Sequence, residues 1–205
     1  MPERDASFDF DAPPADPVNA FRRWYDEALR LPRPNPNAVY VATVDPDGRP
    51  SVRTVLLRGF DERGAVFFTN RRSRKGEGLE AHRRAALLFH WDDLDRQVRI
   101  EGPVSWTSEE ESDRYFASRP RPNQISAWAS EQSKEIASRA ALVLATEEVE
   151  RRFAGQPVPR PSHWGGYRVG LERIEFWQGD PHRLHDRVVY IANGRGGYDI
   201  RRLCP

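Results

Sequence analysis

The chain has 205 residues, 32 Lys+Arg against 31 Asp+Glu, a formal net charge of +1, and 38% hydrophobic residues. A near-neutral balance with both signs interspersed excludes a dedicated nucleic-acid binder, which gathers a basic excess on one face. No apolar run approaches the ~20 residues of a membrane span, and the acidic, proline-rich stretch from Met1 to Asp16 is unlike a secretory signal, so a cytoplasmic protein is expected.

Residues 1–15 have too little apolar periodicity to pack and predict a flexible or loosely docked arm, followed by a single domain over 16–205. Asp16-Pro17 predicts an N-cap with proline at the first helical position. Phe21, Trp24, Tyr25, Ala28 and Leu29 continue it at helical spacing, and Pro32, Pro34 and Pro36 end it. From Ala38 the period becomes that of strands. Segments 38–44, 51–60 and 65–69, joined by DPDG and DERG turns, predict an antiparallel meander.

A short helix is expected over 74–82, then a hairpin of 85–91 with 97–106. Thr107 with Glu110 suggests a capping box opening a helix that carries Tyr115. Residues 123–130 and 133–153 look helical, the second placing Ile136, Ala140, Leu144 and Val149 on one side. The last third returns to strands. Eight or so antiparallel strands with helices inserted between them predict an α+β protein on a closed or split barrel, since closure removes sheet edges.

Three segments could carry chemistry. In SVRTVLLRG, strand alternation puts Arg53 on a face with Val55 and Leu57, and Arg58 with Thr54 and Leu56. The arginines either snorkel from barrel edges or face an anionic ligand. In TNRRSRKGEG, Arg74 and Lys75 stand at a helix N-terminus, where backbone N–H groups favour phosphate. Thirty of the 32 cations are arginine, so the retained Lys75 marks a place where a compact ammonium suits a point contact with phosphate.

In FWQGDPHRLHDR, Arg183, His185 and Arg187 alternate and are expected on one strand face, where three cations repel unless an anion lies among them; Trp177 could stack on a ring system or serve as core. His90 is expected buried in its strand and His82 structural at its helix end. The five histidines show no metal-ligand spacing, and Cys204, the single cysteine, is expected to be a bystander in a reducing compartment.

Together RTVLLRG (53–59), FFTNRRSRK (67–75), RQVRIEG (96–102), YFASRPRPNQISAWASEQS (115–133), WGGYRV (164–169), IEFWQG (174–179), RLHDR (183–187) and RRLCP (201–205) resemble the pyridoxine/pyridoxamine 5′-phosphate oxidase family. The resemblance implies an FMN-binding split barrel, working as a homodimer with its site at the subunit interface. Arg53, Thr54, Val55, Leu56, Leu57 and Arg58 are then expected along FMN. Phe68, Thr69, Arg74 and Lys75 fall near its ribityl phosphate, with Gln97, Trp177, Arg187 and the pair Gln132-Ser133, the last two from the other subunit.

By the same resemblance, Arg58, Tyr115, Arg119 and Asn123 hold the substrate phosphate, and Arg183, Leu184 and His185 lie at the pyridine ring, Arg183 and His185 being the catalytic pair. The implied reaction passes hydride from C4′ of pyridoxine or pyridoxamine 5′-phosphate to the flavin, with O₂ reduced to hydrogen peroxide. Rival readings are a related flavin oxidase of the phenazine-biosynthesis type and a non-catalytic flavin- or pyridoxal-phosphate-binding protein. The sequence departs from the family pattern in having Arg58 for lysine, Asn123 for serine, and no Arg-Arg-x-Tyr element before the first helix.

Overall fold

A computed structural model describes residues 8–205. Helix α1 (Pro17–Leu29) begins where the Asp16 carboxylate accepts the Val18 N–H at 2.9 Å, which satisfies a donor the first turn leaves unpaired. Its apolar stripe buries Phe21 and Trp24 against Phe89 and Phe176, with ring centroids 4.9 and 5.2 Å apart. Burying a side chain such as Phe21 contributes roughly 1.5–3 kcal/mol.

The segment preceding α1 differs from the loosely docked arm expected. Phe8 is 3% exposed and sits 4.9 Å from the Phe176 ring, and Tyr190 donates to the Pro14 carbonyl at 2.8 Å. Two phenylalanines in an acidic stretch anchor it without any periodicity. Residues 1–7 of that expected arm lie outside the described residues.

Ten antiparallel strands follow: β1 (Ala38–Val44), β2 (Pro50–Leu56), β3 (Gly59–Asp61), β4 (Gly64–Asn70), β5 (Arg84–Trp91), β6 (Arg96–Trp106), β7 (Trp164–Val169), β8 (Arg173–Gln178), β9 (Asp186–Ala192) and β10 (Tyr198–Arg202). One path runs β10-β9-β8-β6-β5-β1-β2, and a branch links β3, β4 and β7 back to β6. Strand β6 makes the branch: residues 96–101 pair with β8, and 104–106 pair with β7. At the bend a Cβ on Gly102 would lie 2.0 Å from the Gly170 carbonyl oxygen, so only glycine fits.

The expected single strand over 51–60 is two. At Leu57 the backbone N–H still bonds to Asn37 on the β1 side, while that of Arg58 bonds to Val66 of β4. This change of partner closes the barrel and leaves Arg58 at the seam.

Among the described residues five α-helices decorate the barrel: α1, α2 (Arg74–His82), α3 (Glu109–Ala117), α4 (Arg121–Ala129) and α5 (Arg139–Arg152). The capping box lies one residue later than expected, at Ser108 and Glu111, because Thr107 is buried and bonded to Ser112. The last helix starts at 139 rather than 133: Ser133 takes φ 74°, and Ser138 caps α5 through the Ala141 N–H. His90 faces outward from β5, 4.0 Å from Asp92, whereas His82 ends α2 and contacts the Asp45 carbonyl oxygen at 2.9 Å.

Candidate active site

The seam of the barrel and the three helices α3, α4 and α5 line a solvent-open cavity of about 790 Å³. Thr54, Val55, Leu56 and Arg58 enter it from β2 and the seam, Phe68 and Thr69 from β4, Lys75 from α2, and Tyr115, Arg119 and Asn123 from the α3–α4 region; Gln132, expected from the other subunit, completes this group from the same chain, where it bonds to Lys75. Among the described residues no carboxylate lines the cavity, although three cations do.

Lys75 is 7% exposed, and its Nζ donates to Thr69 Oγ1 at 2.9 Å, Ser73 Oγ at 3.0 Å and Gln132 Oε1 at 2.9 Å. Ser73 is also the N-cap of α2, so the residue that starts the helix also orients the ammonium. All three partners are neutral. Burial, and secondarily the nearby Arg53 guanidinium, push the Lys75 pKa down to about 8. Arg53 is held behind the strand by Thr43 Oγ1 at 2.8 Å and the Val41 carbonyl at 3.2 Å. Arg74 is outside the lining and pairs with Asp45 at 2.7 Å.

A second pair of cations sits among rings. The Arg58 guanidinium carbon lies 5.5 Å from the Tyr115 centroid, and that of Arg119 lies 4.8 Å from Trp164. Phe68 stacks between Tyr115 and Trp164, at 4.2 and 5.5 Å. Arg119 Nη1 is buried with no hydrogen-bond partner among the described residues. Burial lowers the Arg119 pKa; Tyr115 opposes this and the Arg58 charge adds to it.

Gln97, Trp177 and Arg187 are neighbours in one cross-strand row over β6, β8 and β9, beside a separate pocket of about 210 Å³. Arg183, His185 and Arg187 do not share a strand face as expected, because β9 begins only at Asp186. Arg183 occupies a turn with φ 62°, Leu184 is 71% exposed, and His185 Nδ1 accepts the Asp180 N–H at 3.0 Å with its ring 4.7 Å from Trp177. The charge of Arg187 is met within the chain, by Glu175 Oε1 at 2.7 Å.

Of the residues singled out from sequence, Leu57 belongs to the barrel core and Ser133 is exposed outside the cavity. Sequence reasoning missed Ser73, Glu175 and Trp164. The N-cap position of Ser73 was a readable signal, whereas the others are brought in by strand pairing alone.

The geometry defines a split-barrel protein with a cation-lined, carboxylate-free cavity. Residues 25–153 match the family model described as pyridoxamine 5′-phosphate oxidase, and 164–205 match that of the pyridoxine 5′-phosphate oxidase C-terminal dimerisation region. The chain is 59% identical over 186 residues to a pyridoxine/pyridoxamine 5′-phosphate oxidase of Rubrobacter xylanophilus, covering 91% of this chain and 86% of that one.

The fold superposes on PhzG from Burkholderia lata, solved with tetrahydrophenazine-1-carboxylic acid, with TM-score 0.90, 33% identity and 98% of each chain covered. A pyridoxamine 5′-phosphate oxidase-related, FMN binding protein from Nostoc punctiforme shares the fold at TM-score 0.72 and 18% identity, over 91% of this chain and 96% of that one. The chain belongs to the pyridoxamine 5′-phosphate oxidase family. No helix among the described residues is long and apolar enough to cross a membrane.

Proposed function

We propose that the chain is an FMN-dependent oxidase that converts pyridoxine 5′-phosphate or pyridoxamine 5′-phosphate to pyridoxal 5′-phosphate, with O₂ reduced to hydrogen peroxide. The observation that carries this reading is that three cations, Lys75, Arg58 and Arg119, line a cavity without a carboxylate, each with a like charge beside it: Arg53 behind Lys75, and Arg58 and Arg119 beside one another. Repelling cations with no acid in the cavity lining suit two separate phosphates.

The first pair fits FMN: a buried ammonium that meets only neutral oxygens is matched by a phosphate dianion. Lys75, Thr69 and Gln132 would hold that phosphate, with Thr54, Val55 and Leu56 alongside and Arg53 adding its charge from behind the strand. Bound flavin supplies the hydride acceptor that O₂ then reoxidises. Arg58, Tyr115, Arg119 and Asn123 bind the substrate phosphate, and Arg183 and His185 orient the pyridine ring so that its C4′ hydrogen is presented in one pose.

In one chain the cavity residues and the Gln97–Trp177–Arg187 row line different pockets. We assign their union to a homodimer, each site taking its row from the partner subunit. The match of 164–205 to a dimerisation region and the exposure of Val52, Ile136, Leu144 and Leu184 support this.

The similarity to PhzG favours a second reading, an oxidase acting on a phosphate-free ring system. A substrate of that type would offer Arg58 and Arg119 a single carboxylate charge in place of a phosphate dianion. The test is to purify the protein, record its flavin absorption, and assay O₂-dependent pyridoxal 5′-phosphate formation from both substrates. Yellow protein with turnover supports the proposal, and yellow protein without turnover favours the second reading or a binding protein. Colourless protein that cannot be loaded with FMN overturns the flavin assignment.

A further inference from the structure

Arg119 stands apart from the other half-buried arginines because its side chain has no hydrogen bond or ion pair among the described residues. Ring faces alone locate it: Trp164 at 4.8 Å and Phe116 at 5.5 Å from the guanidinium carbon. A cation held by π faces keeps its N–H groups uncommitted, which a carboxylate partner would not allow.

Trp164 is fixed for this task from several sides. Its indole is 5% exposed, stacks on Phe68 with 11° between the planes, and meets Phe116 edge-on at 5.1 Å. Its backbone pairs with Asn70 at the start of β7, and its carbonyl accepts Arg160 Nη1 at 2.6 Å. Arg160 in turn pairs with Asp113 and Glu109 of α3, the helix that leads into Arg119. Arg160 therefore ties the Trp164 backbone to the helix that leads into Arg119.

We propose that Trp164 is a positioning residue which sets the affinity for the substrate phosphate by holding the Arg119 guanidinium on its ring face, ready and unpaired. This rests on the assignment of Arg119 to the substrate phosphate. Removing the face lets the guanidinium turn toward solvent or toward a surface acid, so phosphate must first recapture it.

The test compares FMN-loaded wild type, Trp164→Leu and Trp164→Phe in KM and kcat for pyridoxine 5′-phosphate and in competitive inhibition by inorganic phosphate. Apo-protein affinity for FMN is read separately by flavin fluorescence. Trp164→Leu is expected to raise KM and the phosphate inhibition constant together by about five- to thirtyfold, with a smaller change in kcat and in FMN affinity. Trp164→Phe, which keeps a ring face and lacks the indole N–H, is expected to recover most of the loss.

Arg119→Lys keeps the charge without the flat face and should raise KM by a similar factor, a measurement that stands even if Trp164→Leu does not fold. Unchanged KM in both Trp164→Leu and Arg119→Lys overturns the proposal, as does a Trp164→Phe variant as impaired as Trp164→Leu. Wild-type holoenzyme with no turnover of the phosphorylated substrate overturns instead the functional assignment beneath it.

Discussion

The arginines on the outside of the barrel and the cations of the cavity live in opposite surroundings. Arg168 donates to Asp61 at 3.0 Å and to Glu111 at 2.9 Å, and Arg96, buried beneath α1, donates to Glu27 at 2.6 Å. Lys75 meets three neutral oxygens, and Arg58 and Arg119 meet rings. A chain whose charges balance overall thus leaves a local excess of positive charge at the cavity. Carboxylates neutralise these outer cations, and none lines the cavity that holds Lys75, Arg58 and Arg119.

The strongest way to break this contrast is to place an acid among the cavity cations. Ser73→Asp keeps an N-cap but gives Lys75 an internal counter-ion, and FMN affinity is expected to fall by about a hundredfold or more. Fluorescence titration checks this, with riboflavin, which lacks the phosphate, affected far less. Next in size, Arg119→Ala should raise KM for pyridoxine 5′-phosphate by roughly thirtyfold, since it removes a charge-assisted contact.

The pH dependence sharpens the contrast further. Lys75 in the free protein loses its proton near pH 8, well below the usual lysine value, because its charged form is disfavoured by burial and by Arg53. Phosphate favours the charged form, so on the proposed assignment FMN binding is expected to take up a proton above pH 8 and to weaken by up to about tenfold per pH unit there. Riboflavin affinity should show no such slope. For the apo-protein the sign is reversed: the unfolded chain holds this proton to higher pH, so rising pH relieves a cost of burial and the Lys75 contribution to stability increases.

The smallest expected effect on ligands comes from the acid-paired set. Arg168→Met removes the buried partner of Asp61 and Glu111, leaving them only the exposed Arg63, and should cost about 3 kcal/mol in urea unfolding, with FMN affinity within about twofold of wild type. A large affinity change here would erase the distinction between the two sets of cations.

Much of this was legible in the chain itself. The Asp16-Pro17 start, the turns before Ser51 and Ala65, and helix 74–82 follow local rules of capping and alternation, and the structure has them where spacing put them. The shift of the capping box to Ser108 was illegible because burial of Thr107, which decides it, is a tertiary fact. The break after Leu56 and the branching of β6 depend on a change of strand partner, which alternation within one strand does not record.

At the site, rarity of lysine pointed to Lys75, and its buried position gives that signal a physical reason. Trp164 had no such mark. Its role depends on β4 and β7 lying side by side, which brings a ring from late in the chain against Arg119. The strand expected for Arg183, His185 and Arg187 failed for a related reason: Asp180 recruits His185 into a turn before β9 begins.

The central claim is that the two like-charged pairs are separate phosphate sites, one for cofactor and one for substrate. It is tested most directly by measuring FMN affinity and inhibition by inorganic phosphate in Lys75→Ala and Arg119→Ala. The account predicts a crossed result: Lys75→Ala weakens FMN by at least about tenfold with little effect on the phosphate inhibition constant, and Arg119→Ala does the reverse. Equal losses of both affinities in both variants would contradict it.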